Sequence, residues 1–244
     1  MAYGLTGRNG TALAPLYTDT STQVHPLGTL GFANDGRVFK YAQAVATTVA
    51  GTVQQSTAPL ANHLAATAPA VAIGATSFAF TPGNTAGAAN LYAEGYLQVD
   101  TTPGNGYTYS VSGHAAITAS TAFTLYLNEP IQIALTSSSR LGLLHNPCKN
   151  VIICPTTQTA TAVGVCTYII TATQYGWIQS NGAASVLING TPTITAPVVP
   201  SGTTAGAVDL WTTAAAAVTV QPIGHAMQVG VSTKNNMIYL QMGV

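Results

Sequence analysis

The sequence predicts an all-β protein, built from antiparallel sandwich-like or barrel-like units with an extended N-terminal arm and at most one short helix. Three observations lead there. From Val71 onward, short apolar runs recur between Gly, Pro, Asn and Thr at the intervals typical of antiparallel strands. No helical stripe of ten or so residues alternates with them, as a parallel βαβ fold would require. The polar residues are chiefly Thr, Ser, Asn and Gln, and Thr, being β-branched, suits a pleated surface.

Residues 1–34 carry single large apolar side chains (Tyr3, Leu5, Leu13, Leu16, Tyr17, Leu27, Leu30) with no lasting period, and read as an extended arm. Such an arm docks on its own body or crosses to a neighbour, and termini more commonly do the first. Asn34-Asp35-Gly36 then signals a turn before a strand at 37–41. Beyond it Ala42, Val45, Val49 and Val53 recur at helical spacing, and an Ala-rich stretch follows. Gly51 and Pro59 limit any helix there to a short one.

Strands are expected at 77–80, 91–99, 107–111, 123–127, 131–135, 151–154, 163–171, 175–179, 184–188, 207–211, 226–231 and 237–242. Asn181-Gly182 supplies two residues that tolerate positive φ between strand-like runs, and so predicts a hairpin. In the final run Ile238, Leu240 and Met242 share one face, and Met237, Tyr239 and Gln241 the other. A turn at His145-Asn-Pro147 sets the expected organisation: an arm over 1–34, a first β-rich domain over 35–147, and a barrel-like or sandwich domain over 148–244.

Charge is the largest anomaly. Six Lys or Arg and six Asp or Glu make 5% of 244 residues, against about a quarter in an ordinary soluble domain. A neutral chain with so little charge tends to associate unless its exposed area is already covered. Permanent assembly against other protein is the expectation, with Tyr3, Leu5, Leu13, Leu16, Tyr17 and Arg37 as interface residues. Deleting the arm is then expected to abolish attachment while leaving the β body folded. The chain opens with neither a basic start nor an apolar core of a secretory signal, and its longest apolar stretch, 68–80, is too short to span a bilayer. Synthesis in a reducing cytosol and no membrane partner are therefore expected.

Catalytic equipment is sparse, and the expected activity is not enzymatic. Gly-x-Ser-x-Gly, His-Glu-x-x-His and the phosphate-binding Gly-x-x-x-x-Gly-Lys pattern are all missing from the sequence. Glu94, in Tyr92-Ala-Glu-Gly-Tyr96, is the carboxylate worth weighing, but an ion-pair partner for Arg37 or Arg140 is its blander role. Cys148, Cys154 and Cys166 lack the close pairs that structural zinc favours and are expected to be buried thiols. His25, His63, His114, His145 and His225 are expected to be hydrogen-bonded structural groups, so no metal, cofactor or catalytic residue is assigned. The few basic residues form no cluster able to neutralise phosphates, and direct nucleic-acid contact is not expected.

Asp35-Gly-Arg-Val-Phe-Lys-Tyr41 after Leu27-Gly-Thr, then Asn90-Leu-Tyr-Ala-Glu-Gly-Tyr-Leu97 and Pro103-Gly-Asn-Gly-Tyr-Thr-Tyr109, resemble the capsid decoration, or cement, proteins of tailed bacteriophages. Asn146-Pro147, Tyr175-Gly-Trp-Ile-Gln179 with Gly182, Pro200-Ser201 with Ala205-Gly206, and Ile223-Gly-His-Ala226 are similar to the same group's Gly and aromatic punctuation. The resemblance runs from about residue 27 to the end. It implies a homotrimer on the outer surface of the virion, bound to the major capsid protein and clamping neighbouring subunits. An adhesion or carbohydrate-binding module is the alternative, with Tyr92, Tyr96, Tyr107, Tyr109 and Trp177 as stacking residues.

Overall fold

The computed structural model describes residues 4–211 and 221–243. Strand makes up 37% of it, no helix reaches seven residues, and two antiparallel sheets curl into half-barrels, as the all-β expectation required. In chain order the strands are β1 (Leu30–Phe32), β2 (Val38–Gln43), β3 (Val53–Gln55), β4 (Ala66–Thr67), β5 (Ser77–Phe80), β6 (Tyr96–Val99), β7 (Thr108–His114), β8 (Phe123–Leu127), β9 (Arg140–Leu144), β10 (Ile152–Ile153), β11 (Ala162–Cys166), β12 (Tyr175–Leu187), β13 (Pro197–Pro200), β14 (Val208–Leu210), β15 (Gly224–Ala226) and β16 (Asn235–Gln241). The helical spacing around Val45 and Val49 makes no helix: both side chains are exposed, and the 3-10 turn of the region is Ala61–His63. The 131–135 segment also forms no strand, since only Leu135 makes a bridge, to Val71.

The chain divides into one unit of Met1–Thr57 with Pro147–Val244, and a second of Ala58–Asn146. The expected domain over 35–147 is thereby corrected at its start. Residues 35–57 belong with the C-terminal half because β2 pairs with β12, and β3 lies between β10 and β11. Pairing across a long separation in sequence leaves no local signature, so the boundary near residue 57 was not legible.

The second unit is a six-stranded sheet in the order β4-β9-β6-β7-β8-β5. Its strands alternate: Leu97 and Val99 of β6 and Phe123, Leu125 and Leu127 of β8 point into one core, while Gln98, Thr124 and Tyr126 point out. The period of two along these strands is what closes their core.

The first unit carries the ten-stranded sheet and two clusters of buried side chains. Leu5, Leu16 and Leu27 pack with Phe39, Tyr41, Cys166 and Trp177 in one, and Val53, Val186, Val198, Ile238 and Leu240 form the other. The segment read as an arm is thus part of a core. Its backbone folds back on itself and on β1, through Leu13 N–H to the Leu5 carbonyl at 2.9 Å and Thr6 N–H to the Phe32 carbonyl at 3.0 Å.

The expected hairpin at Asn181-Gly182 does not form. β12 runs unbroken over 13 residues, its first half paired with β2 and its second with β16. Gly182 keeps the positive φ, +87°, but spends it beside a register shift between Gln179 and Asn181, not on a chain reversal. Its neighbours decide the outcome, because each half of β12 finds its own partner strand.

Candidate interaction face

In β16 the side chains of Asn236, Ile238 and Leu240 are buried, and those of Met237, Tyr239 and Gln241 face out. Residues directly opposite in an antiparallel ladder share a face, so the register extends this outward set across the sheet. Tyr239 lies opposite Ala183 of β12 on one side and His225 of β15 on the other. His225 in turn lies opposite Pro197 of β13, whose carbonyl accepts the Trp211 N–H at 2.9 Å. A second row runs from Ser185 to Met237, whose carbonyl accepts the Met227 N–H at 3.0 Å.

The His225 and Tyr239 rings stack with centroids 5.5 Å apart and planes at 22°. Gly224 permits the close strand approach: a Cβ there would strike the Tyr239 carbonyl oxygen. A depression of about 510 Å³, lined by Pro197, Trp211, Pro222, Gly224, His225 and Gln241, indents the same face. None of the residues named in these rows is Asp, Glu, Lys or Arg, and Trp211 and Met227 remain 41% and 45% exposed. Aromatic and Met side chains without charge are the composition found at the centre of protein interfaces.

The residues expected to form the interface are dispersed. Tyr3 lies outside the described residues. Leu5 and Leu16 are fully buried and Leu13 packs against the same core, so these leucines hold the unit together instead of facing a neighbour. The irregular backbone hid this, because without a period nothing in the sequence says which way a side chain points. Tyr17 and Arg37 do come together, lining one recess with Thr167, Gln179, Ser185 and Asn235. Arg37 Nε pairs with Asp35 Oδ2 at 2.8 Å.

The stacking set of the alternative reading is also dispersed. Tyr92, Tyr109 and Trp177 are core side chains, and only Tyr96 and Tyr107 of that set are exposed. Tyr92 instead organises three imidazoles within the second unit. Its hydroxyl meets His63 Nδ1, its N–H donates to His114 Nε2 at 3.0 Å, and its ring stacks on His145 at 4.9 Å. These are buried structural contacts. The cysteines are free and buried, and among the described residues no group of three or more His, Cys, Asp or Glu could hold a metal ion.

No family model, curated protein or solved structure matches this chain.

Proposed function

We propose that this chain is a structural virion protein that lays its uncharged sheet face against the outer surface of major capsid subunits and, as a homotrimer, clamps neighbouring subunits together. The observation that carries this reading is the face of exposed Tyr239, Met237, Met227 and Trp211 with half-buried His225, all of them uncharged residues. In a chain that is only 5% charged, such a face favours permanent cover over free solution. That the cover is a phage capsid rests on the resemblance of the Gly and aromatic motifs between residue 27 and the end.

The action of such a protein is mechanical. Several faces engaged at once convert modest single-site affinity into lasting attachment, since each further contact is intramolecular once the first has formed. Separating two coat subunits then also requires breaking the contacts of the clamp that bridges them. Heads assembled with and without the protein are to be heated and DNA release followed; release at a higher temperature in its presence is expected, and superimposable curves would refute the proposal.

A further inference from the structure

β5 (Ser77–Phe80) is the last strand of the six-stranded sheet, and among the described residues it pairs with β8 alone. The Leu127 N–H donates to the Thr76 carbonyl at 2.8 Å, so these two residues form a hydrogen-bonded pair, and such pairs alternate along an antiparallel ladder. Phe78 and Phe80 therefore bond inward, to Leu125 and Phe123. The N–H and C=O groups of Ser77 and Ala79 point the other way, to the open edge. The side chains of Ser77 and Ala79 are exposed there, while those of Phe78 and Phe80 lie beneath, in the core.

Open edges are ordinarily blunted by Lys, Pro, a bulge or a covering loop. Elsewhere this chain covers its own: at β1 Thr6 and Phe32 exchange backbone bonds at 3.0 and 2.8 Å, and at β14 the Asn189 N–H donates to the Val208 carbonyl at 2.9 Å. β5 has no such protection. Its register with β8 is unbroken, it holds neither charge nor proline, and the sequence from Tyr41 to Ala93 contains no Asp, Glu, Lys or Arg. Unpaired donors and acceptors on a neutral, regular edge call for another strand.

The strand that fits is its own copy. With a second β5 set antiparallel, Ser77 of each falls opposite Ala79 of the other, and both donors and both acceptors of each edge are met. The exposed side chains that then face each other are small. Beneath them Phe78 meets Phe78 of the second copy, an aromatic cross-strand pair that covers the 9% of this ring residue left exposed. Identical neutral edges do not repel, and they offer a foreign strand no counter-charge to select it.

We propose that two copies of this chain join edge to edge through β5, continuing the six-stranded sheet of one copy into the next. Such a contact has two-fold symmetry, so it is distinct from the three-fold contact of a homotrimer and links one trimer to another. A strand of four residues buries far less than the roughly 1,200 Å² of a stable interface, so free copies pair weakly. The pairing becomes lasting where copies are held side by side. It rests on the open edge of β5 and not on the capsid reading.

The test is sedimentation equilibrium of the full chain from about 10 μM to about 1 mM, the range over which a weak contact fills. The average mass of the native chain is expected to rise with concentration, and hydrogen exchange at the Ser77 and Ala79 amides to slow several-fold over the same range. Ala79→Pro removes an outward donor without touching the β8 ladder, and Ser77→Lys places charge on the edge. Both variants are expected to pair at least tenfold more weakly, with the inward-bonded Leu125 amide still slow to exchange as the sign of an intact sheet. A rise in mass that both variants retain, or exchange at Ser77 and Ala79 that is the same at every concentration, would overturn the proposal. Slowing of these amides only when phage heads are added would assign the edge to coat protein and overturn it equally. The self-pairing measurements use no heads, so their failure and that of the capsid reading are separately visible.

Discussion

The backbone N–H of Tyr92 donates to Nε2 of His114 at 3.0 Å, and this bond fixes the tautomer of a buried imidazole. The His114 proton must sit on Nδ1, which faces the Ala115 carbonyl at 2.6 Å. His63 is fixed the other way: Nε2 faces the Thr85 carbonyl at 2.9 Å, leaving Nδ1 to accept from the Tyr92 hydroxyl at 2.5 Å. Burial of Tyr92 raises its phenol pKa above the usual tyrosine value, which keeps that donor protonated.

Replacing His114 by Phe keeps a ring beside Phe123, whose centroid is 5.2 Å away, but strands the buried Tyr92 N–H. A buried group left unsatisfied costs about 1–3 kcal/mol. Urea denaturation should show His114→Phe destabilised by that amount, and an unchanged midpoint would remove the hydrogen-bonding role assigned here.

Leu16 is fully buried with Phe39, Tyr41 and Trp177, so Leu16→Ala should cost about 2–5 kcal/mol through lost burial and the cavity left behind. Removing the first 20 residues should unfold the first unit, because Leu5 and Leu16 leave with them. This reverses the expectation drawn from the sequence, that the β body survives without its arm. Retention of the near-ultraviolet dichroism of Trp177 in the truncated chain would contradict the structure.

Burial pushes the thiols of Cys148 and Cys154 up to about 11 and that of Cys166 up to about 12, from an ordinary value of 9.0. The folded state therefore holds these protons more tightly than the unfolded state. Their contribution is complete below about pH 9 and is lost as pH rises through 11 to 12. Stability measured from pH 8 to 11 should fall, and Cys166→Ala should flatten the slope even where it lowers the plateau. At neutral pH a thiol reagent should label none of the three in the native protein and all three in denaturant; rapid native labelling would contradict their burial.

What was legible in the sequence was what neighbouring residues decide. The short apolar run at 123–127 placed β8, and the alternation of 237–242 separated Ile238 and Leu240 from Met237 and Tyr239, each face as it stands in the structure. What was not legible depends on strands distant in sequence. Asn181-Gly182 has the same local chemistry whether it turns the chain or sits at a bulge, and only pairing with β2 and β16 selects the second. The candidate face was half visible: Met237 and Tyr239 could be assigned to one side, but not that this side faces out, nor that His225, Pro197 and Trp211 continue it. Those neighbours are set by register. Of the expected interface residues, Leu5 and Leu16 were drawn inward because an irregular segment still buries large apolar side chains wherever a core can receive them, each worth about 1.5–3 kcal/mol.

The central claim is that the uncharged face binds coat protein. Met237 and Tyr239 point outward, so Met237→Lys with Tyr239→Lys adds charge to the face without touching the core beneath it. Heads lacking the protein are to be mixed with the native chain or with this double variant, sedimented, and the bound protein quantified. The native chain should co-sediment to saturation and the folded variant should stay in the supernatant; equal binding by both, or by neither, would contradict the account.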